Sequence, residues 1–276
     1  MKQSKSSKRK QDKRIVYYTD ELNDDFAGTD IKTCDIGDDF KFINKNPLWR
    51  AAAAVVYYLI AFPIVWLISY IGYGLRIKNR RAVRKVRGGY FLYANHTQML
   101  TDAFAPSIIS FPKRAHVVAN PDAVSIKGIR QLVMMLGVIP LPASLKMMRP
   151  FRDAVEARYG QNRTVTIYPE AHIWPYYTGI RPFGAASFAY PVRLNAPCIA
   201  YVTTYRRRKI FKNARPLVTI TLSDPFYPDP TLTEREAKQK LRDEIYDFMC
   251  AVAKSEDNYS YITYIRKEDS TLDLAG

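Results

Sequence analysis

Cysteine and histidine are scarce in this 276-residue chain, with three of each. Cys34, Cys198 and Cys250 lie far apart, odd in number and without a CxxC pair, which argues against a disulfide framework and a zinc site. A reducing cytoplasm is the natural setting. His96, His116 and His172 show neither HxxxH nor HExxH spacing, so no histidine-rich metal site is expected. A GxSxG elbow is lacking, which disfavours a serine hydrolase. No repeat is visible. Acidic residues are also short: 26 Asp and Glu face 42 Lys and Arg, a formal charge of +16. Such an excess implies an anionic partner, whether nucleic acid, an acidic membrane surface, or a negatively charged substrate or carrier protein.

With 47% hydrophobic residues, the chain can bury a sizeable core, as one large domain or as one domain plus appendages. Residues 1–14 carry seven Lys or Arg and almost nothing apolar, the composition of a disordered basic tail. It serves either to attract anionic lipid or simply to solubilise. Residues 15–50 show no clear periodicity and read as irregular. Residues 51–75 pass without a charge, between Arg50 and Arg76, and exceed the roughly 20 apolar residues that a membrane helix needs. Pro63 is expected to kink this helix or divide it in two. Basic residues flank both sides, so charge sets no clear orientation. A kinked helix or hairpin in one leaflet is favoured over a single crossing, because a crossing strands one basic flank outside.

From residue 88 the pattern alternates. Nearly continuous apolar runs at Tyr90–Ala94, Ala115–Ala119, Gly137–Leu141, Thr164–Tyr168, Cys198–Thr203 and Leu217–Leu222 predict strands. Helical spacing falls between several of them, including 123–135 and 145–158. The expected fold class is therefore α/β, a mostly parallel central sheet with helices on both faces, over residues 76–255. Thr233 and Glu236 make a capping box before the apolar stripe Ala237, Leu241, Ile245, Phe248, Met249 and Val252, which predicts a final packing helix. Residues 256–276 read as a loose polar tail.

Two strand ends carry groups fit for chemistry, since ligands in α/β folds collect at the carboxyl ends of strands. The first is Asn95-His96-Thr97-Gln98-Met99-Leu100-Thr101-Asp102. A histidine there either caps a turn or acts as a base near neutral pH, with a carboxylate fixing its tautomer and stabilising its cation. Asn95-His96-Thr97 also matches a glycosylation acceptor, but without a secretory signal it is set aside. The second is Tyr168-Pro169-Glu170-Ala171-His172, where Glu170 is either a ligand-binding or catalytic group or a helix cap.

These blocks, in this order, resemble the phospholipid/glycerol acyltransferases, including the bacterial 1-acyl-sn-glycerol-3-phosphate acyltransferases. Asn95-His96 matches the first family block, Gly137-Val138-Ile139-Pro140-Leu141-Pro142-Ala143 the start of the second, Tyr168-Pro169-Glu170 the third and Ala196-Pro197-Cys198-Ile199-Ala200-Tyr201 the fourth. The likeness runs from about residue 88 to 225 and includes the apolar segment before it. Three departures stand out. Five residues separate His96 from Asp102 where the family has four, and Thr101 occupies the usual carboxylate position. Ala143 stands where the second block has Arg. Ala171-His172-Ile173 replaces Gly-Thr-Arg.

The resemblance implies acyl transfer from an acyl thioester to a hydroxyl of a lysophospholipid or related glycerolipid. His96 is then the general base and Asp102 its partner, while Asn95, Pro169 and Gly137 shape the motif. In the family the two absent Arg hold the acceptor's phosphate; here Glu170 positions the acceptor or braces the site, and Lys146, Arg149 or Arg181 supplies the positive charge in their place. The donor is acyl-CoA or acyl carrier protein, with no resident cofactor and no metal. The place of work is the cell membrane, with the catalytic domain on its cytoplasmic side. Two rival readings remain: a basic membrane-surface binding protein without catalysis, and a nucleic-acid-binding protein. The second is disfavoured because the basic clusters flank the apolar stretch instead of interleaving with aromatics.

Overall fold

In the computed structural model, which describes residues 14–28, 37–125, 128–211, 214–255 and 257–267, the alternating runs become a seven-stranded sheet. Its strands are β2 (Arg76–Lys78), β3 (Tyr90–Ala94), β4 (Ala115–Ala119), β5 (Val138–Pro140), β6 (Thr164–Ile167), β7 (Cys198–Arg206) and β8 (Leu217–Leu222), following a short β1 (Ile15–Tyr18). The order across the sheet is β2-β8-β7-β3-β6-β4-β5. All neighbours are parallel except β7 and β8, which form an antiparallel hairpin. Every residue of β3 and β6 is buried, because helices cover both faces.

Those helices are α1 (Pro47–Gly72), α2 (Met99–Ser110), α3 (Asp122–Ser125), α4 (Arg130–Met135), α5 (Leu145–Gly160), α6 (Ala189–Leu194) and α7 (Glu234–Ala253). The two-residue period of β3 divides the core. Phe91 and Tyr93 face α5 and α7, joining Phe151, Val155, Leu241, Ile245 and Met249. Tyr90, Leu92 and Ala94 face α2 and α1, joining Ala105, Ile108, Ile109 and Val65. The capping box of α7 forms through Thr233 and Glu236.

Pro63 neither breaks α1 nor folds it into a hairpin. The segment stays helical from Pro47 to Gly72, with a wide π-helical stretch at Val56–Ala61 directly before the proline and another at Ile68–Gly72. A wide turn loosens the ladder where the pyrrolidine ring meets the carbonyl four residues back. The segment is long and apolar enough to cross a membrane, and one side of it packs on α4, on α2 and on the residues that follow α2. The Trp49 indole N–H donates to Gln131, the Tyr57 hydroxyl to Ser107, and the Tyr58 hydroxyl to the Pro112 carbonyl. Phe62 stacks on Phe111 with centroids 4.5 Å apart, and the Arg208 guanidinium donates to the Gly72 carbonyl at 2.8 Å. The opposite face exposes Val55, Leu59, Ile60, Ile64, Leu67 and Ile71.

Several expectations need correction. The helix expected over 123–135 is two pieces, α3 and α4. The segment read as irregular, 15–50, contains β1 and buries Phe42 in the core. The tail read as loose contains β9 (Thr263–Arg266), which pairs in parallel with β1 in a separate two-stranded sheet. Of the basic tail, residues 1–13 lie outside the described residues, as do Cys34 and residues 268–276; Arg14 stacks on the Tyr261 ring at 4.2 Å. Cys198 and Cys250 are free thiols.

Candidate active site

β3 ends at Ala94, and the chain from Asn95 to Gln98 forms a loop that is extended at Gln98 before α2 begins at Met99. Asn95 anchors this loop by exchanging two hydrogen bonds with the Thr203 backbone of β7: its amide donates to the carbonyl at 3.1 Å, and its oxygen accepts from the N–H at 2.8 Å. On the other side, the N–H groups of Trp174 and Tyr176 donate to the carbonyls of His96 and Thr97.

The extra residue between His96 and Asp102 is absorbed by that loop. His96 precedes the helix, so α-helical phase does not govern the pair. Asp102 sits in the first turn of α2 and points back. Its Oδ2 lies 2.9 Å from His96 Nδ1 and accepts the Gln98 N–H at 2.8 Å. The Asp102 side chain is 2% exposed and that of His96 is 23% exposed. Burial pushes the Asp102 carboxyl above its usual range, against the pull of His96 and of the Gln98 and Thr97 amides. Thr101, at the family's usual carboxylate position, is buried in α2 with its hydroxyl unpartnered.

Glu170, after β6, reaches the same loop from below. Its Oε2 accepts the His96 backbone N–H at 3.3 Å, and its Oε1 accepts the Arg181 N–H at 3.3 Å. The Arg181 Nε stands 3.5 Å from Glu170 Oε2, with the two side chains 1% and 0% exposed. Burial raises the Glu170 carboxyl to about 7, although the Arg181 charge draws it down. The guanidinium also donates to the carbonyls of Glu170, His172 and Glu21. Arg181 and Glu170 are thus sealed beneath the loop, and neither presents a charge to an acceptor.

Lys146 and Arg149 do not join this cluster. Both are exposed on α5, past the end of β5 and three strands from β3, about 14 Å sideways at the usual strand spacing. Lys146 faces Asp38 at 3.8 Å. Gly137 belongs to the opposite edge: at φ +102°, a Cβ there would lie 2.6 Å from the Ala115 carbonyl oxygen. Pro169 opens the turn that carries Glu170. Ala171, in the family's glycine position, adopts φ +64°, a conformation costly for any residue with a Cβ.

Several contacts were not legible in the sequence. The Tyr168 ring stacks on His96 with centroids 4.6 Å apart, and its hydroxyl bonds Tyr201 and the Asp102 carbonyl. The β1/β9 sheet backs the 170–181 loop: Trp174 stacks on Tyr264 at 4.9 Å and donates to the Asp24 carbonyl. Tyr168 stood in the motif without an assigned role; the β1/β9 partnership left no local signal. Among the described residues no group of three or more His, Cys, Asp or Glu is placed to hold a metal ion.

The histidine–carboxylate pair stands at the carboxyl edge of the mostly parallel sheet, where ligands collect in α/β folds. Residues 74–203, which contain that edge, match the family model described as Acyltransferase. Among solved structures, the 1-acyl-sn-glycerophosphate (LPA) acyltransferase PlsC from Thermotoga maritima is similar at 15% identity and a TM-score of 0.48, over 75% of this chain and 95% of that one. No curated protein matches the sequence.

Proposed function

We propose that the protein transfers a fatty acyl group from an acyl thioester to a hydroxyl of a lysophospholipid or related glycerolipid acceptor. The observation that carries this reading is the 2.9 Å contact between His96 Nδ1 and a buried Asp102. With the Nδ1 proton directed at that carboxylate, Nε2 holds the free lone pair. Nε2 takes the acceptor's hydroxyl proton as its oxygen attacks the thioester carbonyl, Asp102 stabilises the imidazolium, and the proton then passes to the departing thiolate. No enzyme nucleophile, metal or resident cofactor enters the scheme.

The missing phosphate contacts fall to other cations. A cleft at the carboxyl edge is lined by Arg76, Arg206, Arg207, Arg208 and Lys209, beside exposed Ile210 and Phe211. It starts about 10 Å beyond the His96 level, on the neighbouring strand. Its charge suits an anionic donor, acyl-CoA or acyl carrier protein, and an anionic lipid surface. The exposed apolar face of α1 ends at this same edge. It lies in one leaflet, parallel to the bilayer, because a crossing helix would have to give up its contacts with Gln131 of α4, Ser107 of α2 and Pro112. The globular part then faces the cytoplasm, where thioester donors are made.

The test is label transfer from an acyl thioester to a panel of lysolipids in detergent, wild type against His96→Ala. Loss of general-base catalysis lowers the rate by about 10²–10⁴. Unchanged transfer by the variant would refute the assignment.

A further inference from the structure

The edge of the sheet remote from His96 holds a second built feature. Parallel strands place Arg114 and Arg163 side by side before β4 and β6, joined by the Thr164 N–H donating to the Arg114 carbonyl. The Arg163 N–H donates to the Arg158 carbonyl at the end of α5, which brings in a third guanidinium. Arg50 of α1 and Lys113 complete the group around a cavity of about 500 Å³. No Asp or Glu lines this cavity among the described residues. The buried Nε atoms of Arg114 and Arg158 have no hydrogen-bond partner.

Like charges gathered without a counter-ion repel, and the cost rises as they leave water. Burial and the charges of Arg163, Arg114 and Arg50 bring Arg158 down to about 10. Beneath the group, burial and the charges of Arg158, Arg114 and Arg163 hold the His116 imidazole well below the usual histidine range. The facing wall is different in kind. Pro47, Ala51, Ala54, Tyr58 and Met134 make it largely apolar, and it continues into exposed Val55 and Leu59 along α1. An anion on one side and hydrocarbon on the other are the two ends of an anionic glycerophospholipid.

We propose that the cavity between α1 and the amino edge of the sheet binds phosphate, supplied by an anionic lipid headgroup whose chains lie along α1. The lipid source rests on the membrane placement proposed above; the phosphate chemistry does not. Arg163 lies four residues before the end of β6 at Ile167, about 13 Å along the strand, and His96 lies beyond the opposite strand ends, so the site is separate from the acyl-transfer centre. A lipid held there fixes the amino end of α1 in the leaflet while the Arg206–Lys209 cleft fixes the other.

The experiment compares the full-length protein with Arg50→Gln/Arg163→Gln and Arg50→Lys/Arg163→Lys, using two probes. Inorganic phosphate is read by thermal shift, and phosphatidylcholine vesicles with or without phosphatidylglycerol by co-sedimentation. Removing surface charge weakens anionic-vesicle binding about fivefold per residue, so the Gln pair should lose roughly 25-fold while the Lys pair retains binding. Phosphate should raise the wild-type melting temperature and not that of the Gln pair. A phosphate shift lost in the Gln pair without any change in vesicle preference would support a phosphate site but overturn the lipid as its source. No shift in the wild type, together with equal vesicle binding by wild type and Gln pair, would overturn the site altogether. His96→Ala should keep both responses and the Gln pair should keep acyl transfer in detergent, so the two readings fail separately.

Discussion

Replacing Asp102 with Asn tests the pairing on which the proposed chemistry depends. The side chains are nearly isosteric, and the amide oxygen can still accept the Gln98 N–H that Oδ2 accepts at 2.8 Å and stay beside His96 Nδ1, which lies 2.9 Å from Oδ2. The ring therefore keeps its place on Tyr168 and between the two strand ends. What disappears is the negative charge beside an imidazolium that exists only while the hydroxyl proton is in transit. Two unit charges about 4 Å apart attract by about 4 kcal/mol at an effective dielectric of 20. The imidazole is 23% exposed, so solvent screens part of this, and about 3 kcal/mol is the better figure. That corresponds to a fall in kcat of about 10²-fold. KM for the lysolipid should hold, because the charge acts on the transition state and not on ground-state binding. Initial rates of labelled acyl transfer in detergent, with far-UV circular dichroism to confirm folding, measure both constants. A variant that retains more than a tenth of the wild-type kcat would refute the claim that Asp102 stabilises the imidazolium.

Moving the carboxylate to the family's usual place, by Thr101→Asp with Asp102→Ala, should not restore activity lost in Asp102→Ala. Position 101 is turned by about 100° around α2, and rate measurements on both variants decide the matter. Ala171→Gly should stabilise the fold, since φ +64° penalises a Cβ by about 1–2 kcal/mol. Greater unfolded-chain freedom returns part of that, leaving about 1 kcal/mol, seen as a melting temperature about 2 °C higher; an unchanged or lower one contradicts it. The Glu170 carboxyl, held at about 7 by burial, binds its proton more tightly folded than unfolded. Its stabilising contribution is complete below its unfolded value near 4.5 and fades as pH rises toward 7. The stability of wild type relative to Glu170→Gln should therefore decline by about 3 kcal/mol across that window. Denaturant titrations at several pH values check this, and a constant difference rules it out.

Much of the central sheet was legible because strands covered on both faces are written as unbroken apolar runs. Tyr90–Ala94, Ala115–Ala119 and Leu217–Leu222 have the same bounds in sequence and structure. The helix of residues 234–253 was legible through its capping box and apolar stripe, which are local signals. The rest of the site was less open to reading. Arg181, Lys146 and Arg149 were alike in the sequence as cations able to meet a phosphate. Only packing separates them, sealing Arg181 under the loop at 1% side-chain exposure and leaving Lys146 83% exposed beside Asp38. Continuity of α1 across Pro63 was equally hidden, because a widened turn is a response to the proline and not a pattern of residue types.

The linear order of residues was enough to determine where hydrophobic runs become strands, where helices begin, and that a histidine and two carboxylates fall at strand ends, because each of these depends on neighbours a few positions apart. It also determined the excess positive charge and the long uncharged stretch. Only the folded chain decided that the loop before α2 brings Asp102 to His96, that Ile15–Tyr18 joins Thr263–Arg266, and that four arginines from distant segments surround one cavity. Those outcomes depend on contacts between residues tens to hundreds of positions apart. Their energies come from burial and shape in three dimensions, for which a local stretch of sequence carries no signature.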